Sequence, residues 1–114
     1  MQKNGSGCSV RSSDVERGTH IEPPLYADFG VHTTIGEDTF INVNCMIVDD
    51  AAISIGKRVL IGPAVQLIAA MHPLRVAERR TAAADVAAGA VVTRNGPPDS
   101  LAAGTPAKVI RDLR

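Results

Sequence analysis

The sequence predicts an all-β chain: a parallel β-helix of hexapeptide repeats, about two to three coils, closed by a short C-terminal helix. Three observations lead there. Apolar residues recur every six positions at Phe29, Ile35, Ile41 and Ile47, and again, after a slip of two, at Ile55, Ile61 and Leu67. Ile35 and Ile55, Ile41 and Ile61, and Ile47 and Leu67 stand 20 residues apart, which stacks each pair one coil above the other. Small or β-branched residues (Thr33, Thr39, Cys45, Ala51, Val59, Val65) fill the place two before the column residue in most hexads, where inward room is short.

The chain has 114 residues, enough for one domain. Residues 1–22 are polar and rich in Gly and Ser, and read as an N-terminal arm; Ser13 and Glu16 match a capping box for one helical turn. Residues 23–114 form the single repeat domain. Pro23-Pro24 leads into extended chain. Phe29 and Ile47, 18 apart, span one coil of three hexads, and the two-residue slip falls in the corner Asp49–Ile53. Glycine follows the column residue at Gly30, Gly36, Gly56 and Gly62, where a tight corner favours an unusual backbone angle. Residues 73–85 break the pattern and read as a loop or short helix. The hexad before Val86 would put Arg80 in the inward column, a poor fit for a charge. Val86 and Val92 resume the spacing, with Ala90 in the small inward place. Asn95-Gly96-Pro97-Pro98 is a turn, and Ala107–Leu113 is an amphipathic segment expected to be helical, so that 97–114 caps the open end of the stack. An antiparallel β-domain with strands near 39–48 and 58–69 is the rival, but it leaves three pairs in one register to coincidence.

Twelve basic and twelve acidic residues cancel, and no basic run exists to seek nucleic acid or an anionic membrane. Cys8 and Cys45 make no disulfide framework and no CxxC pair. Cys45 reads as a buried small apolar residue. The first ten residues lack the apolar core of a secretory signal, and no apolar run reaches the length of a membrane span, so the expectation is a cytoplasmic protein.

Of His20, His32 and His72, the last stands where the repeat stops and a loop leaves, a favoured place for function on a rigid scaffold. Asn42 follows the column residue Ile41, and Asp50 sits in the corner insertion. The three are candidates to line one groove at an edge of the prism.

The runs Glu22–Gly30, Thr34–Asp50, Ile61–Leu67 and His72-Pro-Leu74 together resemble the maltose and galactoside O-acetyltransferases. Gly89-Ala-Val-Val-Thr93 and Ala103-Gly-Thr-Pro-Ala-Lys-Val-Ile-Arg111 look like that family's closing segment. The resemblance implies a left-handed parallel β-helix, an exception to right-handed crossovers. It implies a homotrimer with active sites between subunits, and transfer of an acetyl group from acetyl-CoA to a hydroxyl of a sugar or other small molecule. His72 matches the catalytic base. Asn42, Asp50 and Asp28 match residues that line the acceptor pocket. Ala88, Thr93, Arg94 and Arg111 match positions that contact the CoA moiety. No metal is implied.

The residue types suit that chemistry. Imidazole titrates near neutral pH, so it can take the hydroxyl proton during attack and pass it to the leaving thiolate. Asn and Asp orient acceptor hydroxyls, and Arg94 and Arg111 can pair with phosphates. The chain also departs from the family, which has a longer, largely helical N-terminal region with another acceptor-binding acid, and a further coil with a tryptophan after the catalytic histidine. Residues 73–85 hold no Trp and no Ile-Gly pair. The catalytic half of the site is therefore expected intact and the donor half shortened. A non-catalytic trimeric scaffold or small-molecule binder is the alternative. A metal enzyme of the γ-carbonic-anhydrase type needs three histidines across an interface, and no His pair falls on stacked hexads here.

Overall fold

A computed structural model describes residues 14–69, 73–77, 85–96, 100–104 and 107–112. Its strands run in short pieces, one per side of a three-sided coil. The first coil holds β1 (His20–Ile21), β2 (Leu25–Ala27) and β3 (Thr33–Ile35); the second holds β4 (Phe40–Ile41), β5 (Cys45–Val48) and β6 (Ile53–Ile55). The third holds β7 (Leu60–Ile61), β8 (Gln66–Ile68) and β9 (Leu74–Val76), and the fourth β10 (Asp85–Val86) and β11 (Val91–Val92). A hairpin of β12 (Ser100–Ala103) and β13 (Lys108–Asp112) follows.

Each side is a parallel ladder. The first face stacks β1, β4, β7, β10 and β12, with β13 antiparallel at the end; the second stacks β2, β5, β8 and β11; the third stacks β3, β6 and β9. Ile35 pairs with Ile55, Ile41 with Ile61, and Ile47 with Leu67, as the hexad spacing predicts. These residues, with Leu25, Ile53, Val59 and Val65, are almost fully buried and form the axis of the prism. Burying each large aliphatic side chain is worth about 2 kcal/mol, so the stacked column is the main cohesive element.

The register begins earlier than the sequence suggests. Val15 bridges Ile35, and His20 and Ile21 pair with Phe40 and Ile41, so the segment ahead of Pro23 already takes part in the stack. The offset is 20 residues from the first coil, because Leu25 pairs with Cys45 and Ala27 with Ile47. Phe29 therefore does not occupy the column: Ala27 does, and Phe29 is 50% exposed. The reason is that the corner insertion is already present in the first coil, so the step from the first coil to the second is 20 residues on every face. For the same reason Ile53, not Ala51, stacks over Thr33.

Two further expectations change. Leu74–Val76 is not a loop but β9, with Val76 on Ile55, so the column place is filled by valine and not by Arg80, which lies outside the described residues. Most of the segment between β9 and β10 also lies outside them. The expected C-terminal helix is instead β13, and the capping element is a strand hairpin. An alternating segment next to the open edge of β12 gains inter-strand hydrogen bonds that a lone helical turn could not match.

Glycine acts differently from the expectation as well. Of the four glycines expected at strained corners, Gly30 is left-handed, with φ of 79°, while Gly36, Gly56 and Gly62 are not; the non-glycine left-handed corner residues are Asp38, Asn44, Arg58 and Ala64, with φ of 55°, 60°, 53° and 59°. Each turns its N–H along the stack: Asp38 donates to the Arg17 carbonyl, Arg58 to Glu37, Asn44 to Pro24 and Ala64 to Val43. Gly36 and Gly62 instead permit close stacking. A Cβ at Gly36 would lie 2.6 Å from the Gly56 carbonyl, and one at Gly62 would lie 2.8 Å from the Ala88 nitrogen.

Candidate active site

The three corners are unlike. The first corner, between the first and second faces, and the third corner, between the third and first faces, are tight turns. The second corner, between the second and third faces, carries the insertion: residues 28–32 in the first coil and 49–52 in the second. It is where chemistry-bearing side chains gather.

Asp28 and Asp50 are both exposed there, one coil apart. A hydrogen bond to Asp50 raises the Asp28 carboxyl above its ordinary value, helped by desolvation and by repulsion from the Asp50 and Asp49 charges. The two carboxyls lie close enough to interact, and both face solvent, where they offer several acceptor oxygens to a ligand.

Between them sits Asp49, which is fully buried. Its Oδ1 accepts from the Phe29 and Gly30 N–H groups at 2.9 and 3.2 Å; its Oδ2 accepts from the His32 N–H at 3.1 Å and the Thr33 hydroxyl at 3.0 Å. Burial pushes its carboxyl up, but these hydrogen bonds prevail and hold it below the usual value. The Asp49 carbonyl also lies 2.8 Å from His32 Nδ1. Phe29 and His32 rings tilt against each other with centroids 5.7 Å apart. Asp49 escaped the sequence reading, although a signal existed. Strand alternation points Cys45 and Ile47 inward, and the same parity points Asp49 inward, where a carboxylate survives only among N–H donors.

The other candidates fall elsewhere. His72 lies outside the described residues, in the chain between β8 and β9. Thr93 and Arg94 are exposed just beyond β11, which stacks on β8, so they stand at the second corner of the fourth coil. Asn42 is at the first corner of the second coil, where its Oδ1 accepts from the Val43 N–H at 2.8 Å. Ala88 is exposed at that same corner of the fourth coil. Arg111 belongs to β13, in register with Leu101, and its side chain lies outside the described set. Within one chain, then, Asp28 and Asp50 meet, and Asn42 is a whole face away from them. Asn42 and Asp50, expected with His72 to line one groove, therefore do not share an edge within one copy.

Cys45 is buried, its thiol directed at the Gly62 carbonyl at 3.3 Å, and burial pushes its pKa up, which suits an inert core residue. Among the described residues, no three His, Cys, Asp or Glu side chains converge as a metal site. No described helix is long and apolar enough to cross a membrane.

No protein-family profile matches the sequence. Individual proteins do. The galactoside O-acetyltransferase of Escherichia coli is 30% identical over 142 aligned positions that take in 99% of this chain and 70% of that protein. The chain belongs to the galactoside and maltose O-acetyltransferase family. A second relative, a Schizosaccharomyces pombe protein whose name assigns it to the acetyltransferases, is 34% identical over 88% of this chain; the chain spans 62% of its length. A solved galactoside acetyltransferase in complex with coenzyme A superposes with a TM-score of 0.62 at 28% identity, covering 88% of this chain and 64% of that one. The prism is thus the family's left-handed parallel β-helix. The Escherichia coli alignment is longer than the chain itself, so that family member carries residues with no counterpart here.

Proposed function

We propose that this protein transfers an acetyl group from acetyl-CoA to a hydroxyl of a sugar or other small molecule. His72 is the general base, and Asp28, Asp50 and Asn42 hold the acceptor. The observation that carries the reading is the separation of the candidates onto two edges of one prism. A site that needs Asn42 and the Asp28–Asp50 pair together requires the first corner of one copy to meet the second corner of another. A head-to-tail contact of this kind closes into a ring. A homotrimer in the cytoplasm is the form this reading implies.

In the reaction, the acceptor hydroxyl attacks the thioester carbon while His72 takes its proton. The tetrahedral intermediate collapses, the carbon–sulfur bond breaks, and the proton passes from imidazolium to the CoA thiolate. The Asp28 and Asp50 carboxyls accept hydrogen bonds from neighbouring acceptor hydroxyls, which fixes the attacking oxygen. Ala88 at the first corner of the fourth coil and Thr93 and Arg94 at its second are exposed, so a CoA arm that touches all three lies between two copies; Arg94 and Arg111 supply cations for its phosphates.

Free thiol is the readout. Acetyl-CoA with galactoside and maltose acceptors should release CoA, and His72→Ala should slow that release about 100-fold or more. The solution mass should be three times 11.9 kDa. A monomer that releases no thiol would end this reading. The second reading, a non-catalytic trimeric scaffold or small-molecule binder, is favoured by the residues the Escherichia coli relative has and this chain lacks. Calorimetry decides between them: a trimer that binds no acetyl-CoA is the scaffold.

A further inference from the structure

We propose that Asp49 is the positioning residue of the acceptor side: its buried carboxylate sets the Asp28–His32 loop so that Asp28, Phe29 and His32 face the acceptor together with Asp50. This rests on the acetyltransferase reading for its functional meaning, but its geometry stands alone.

Backbone ladder bonds hold only the ends of the loop, from the Asp28 N–H to the Ile47 carbonyl at 2.8 Å and from the Ile53 N–H to the His32 carbonyl at 2.9 Å. Phe29 and Val31 are exposed, at 50% and 44%, so apolar packing does not fix it. Gly30 adopts a left-handed φ of 79°, which bends the chain and turns neighbouring N–H groups toward one point. Asp49 occupies that point. It comes from the coil above, so the loop of the first coil is clamped by the second. Three N–H groups and one hydroxyl converge on its two oxygens. Hydrogen bonds to a buried carboxylate are stronger than neutral ones, and a buried charge holds its donors because losing one leaves it poorly solvated. The next residue in the chain is Asp50, so the same backbone segment that clamps the loop also presents the partner of Asp28. The spacing of the two acidic side chains is set by one buried anchor. The same loop carries Phe29, half exposed and tilted 57° against the His32 ring, so an apolar ring face stands on the segment that presents Asp28, the pairing of surfaces that a sugar with its polar rim and apolar face would fit.

The test is Asp49→Asn, which keeps the size and removes the charge and one acceptor. Three measurements separate positioning from simple stability. Amide exchange at Phe29, Gly30 and His32 should speed up about tenfold or more, with Phe40 and Met46 in the neighbouring strands unchanged. The Asp28 titration, followed by carboxyl carbon NMR, should move back toward an ordinary aspartate. In thiol-release assays with methyl β-galactoside, KM for the galactoside should rise about tenfold while KM for acetyl-CoA stays as in the wild type. An unchanged Asp28 titration with unchanged loop exchange would overturn the proposal, as would an equal rise in both KM values. The NMR readouts need no turnover. A wild-type protein that never releases thiol would therefore remove the acetyltransferase reading while leaving Asp49 as anchor to be judged on exchange and titration.

Discussion

The first and third corners of the prism repeat one solution, and the second corner departs from it. At the repeated corners, a left-handed residue turns its N–H onto the coil below, and Gly36 or Gly62 lets the backbones close to contact distance. No side-chain chemistry is needed there beyond fitting. At the second corner the extra residues cannot all bond along the ladder, and a buried carboxylate from the coil above serves their N–H groups instead. The contrast shows how a solenoid gains a site. The repeated corners keep the register, which frees the inserted corner to carry exposed acids, an aromatic ring and a histidine without loss of the stack.

Substitutions at four positions would break or sharpen that contrast. Removing the anchor outright should have the largest effect: Asp49→Ala strands several buried N–H groups and should cost about 4 kcal/mol in denaturant unfolding. Its pH dependence has a definite sign. Because the folded Asp49 carboxyl lies below its ordinary 3.8, its contribution is fully present above that value and is lost as pH falls through the folded value. Asp49→Asn should therefore flatten the acid limb of the stability curve, and an acid limb of unchanged slope would show that the clamp is weaker than the geometry indicates. At a repeated corner, Gly36→Ala should cost about 2 kcal/mol, since its Cβ meets backbone and not a flexible side chain. A neutral result would mean that the coils can separate locally. Ala64→Gly should raise stability by about 1 kcal/mol by relieving a left-handed alanine. No gain in melting temperature would place the strain elsewhere.

Asp28→Asn should have the smallest effect. The folded Asp28 carboxyl lies above its ordinary value, so its ionised form is disfavoured once pH rises beyond that range. The variant should gain slightly at neutral pH and lose that advantage below the ordinary aspartate range. Stability profiles of the two proteins between acid and neutral pH would check the direction, and a loss at neutral pH would reverse the account of the pair.

Much of the stack was legible because a hexad pattern is a direct imprint of three-sided geometry. Ile35, Ile41 and Ile47 could hardly sit over Ile55, Ile61 and Leu67 by accident, and they do sit there. Phe29 misled because two coils of clear pattern show the insertion only once, so an 18-residue first coil was as good a reading as a 20-residue one. Val76 was missed because nine residues separate it from Leu67, a spacing no hexad template carries.

The sequence by itself determined the ladder: inward positions every six residues, a slip at one corner, and the Asp-Asp pair that marks that corner. These follow from short-range periodicity, which a side chain reports whether or not its partner is known. Only the tertiary structure decided which N–H groups the inward-pointing Asp49 meets, that Asn42 and Asp50 stand on separate edges, and that the last segment is a strand. Those outcomes depend on what the neighbouring coil offers: N–H groups without partners around Asp49, a full face of β5 between the two edges, and an open strand edge at β12. Such offers come from residues 20 positions away or on another face, and no local pattern contains them.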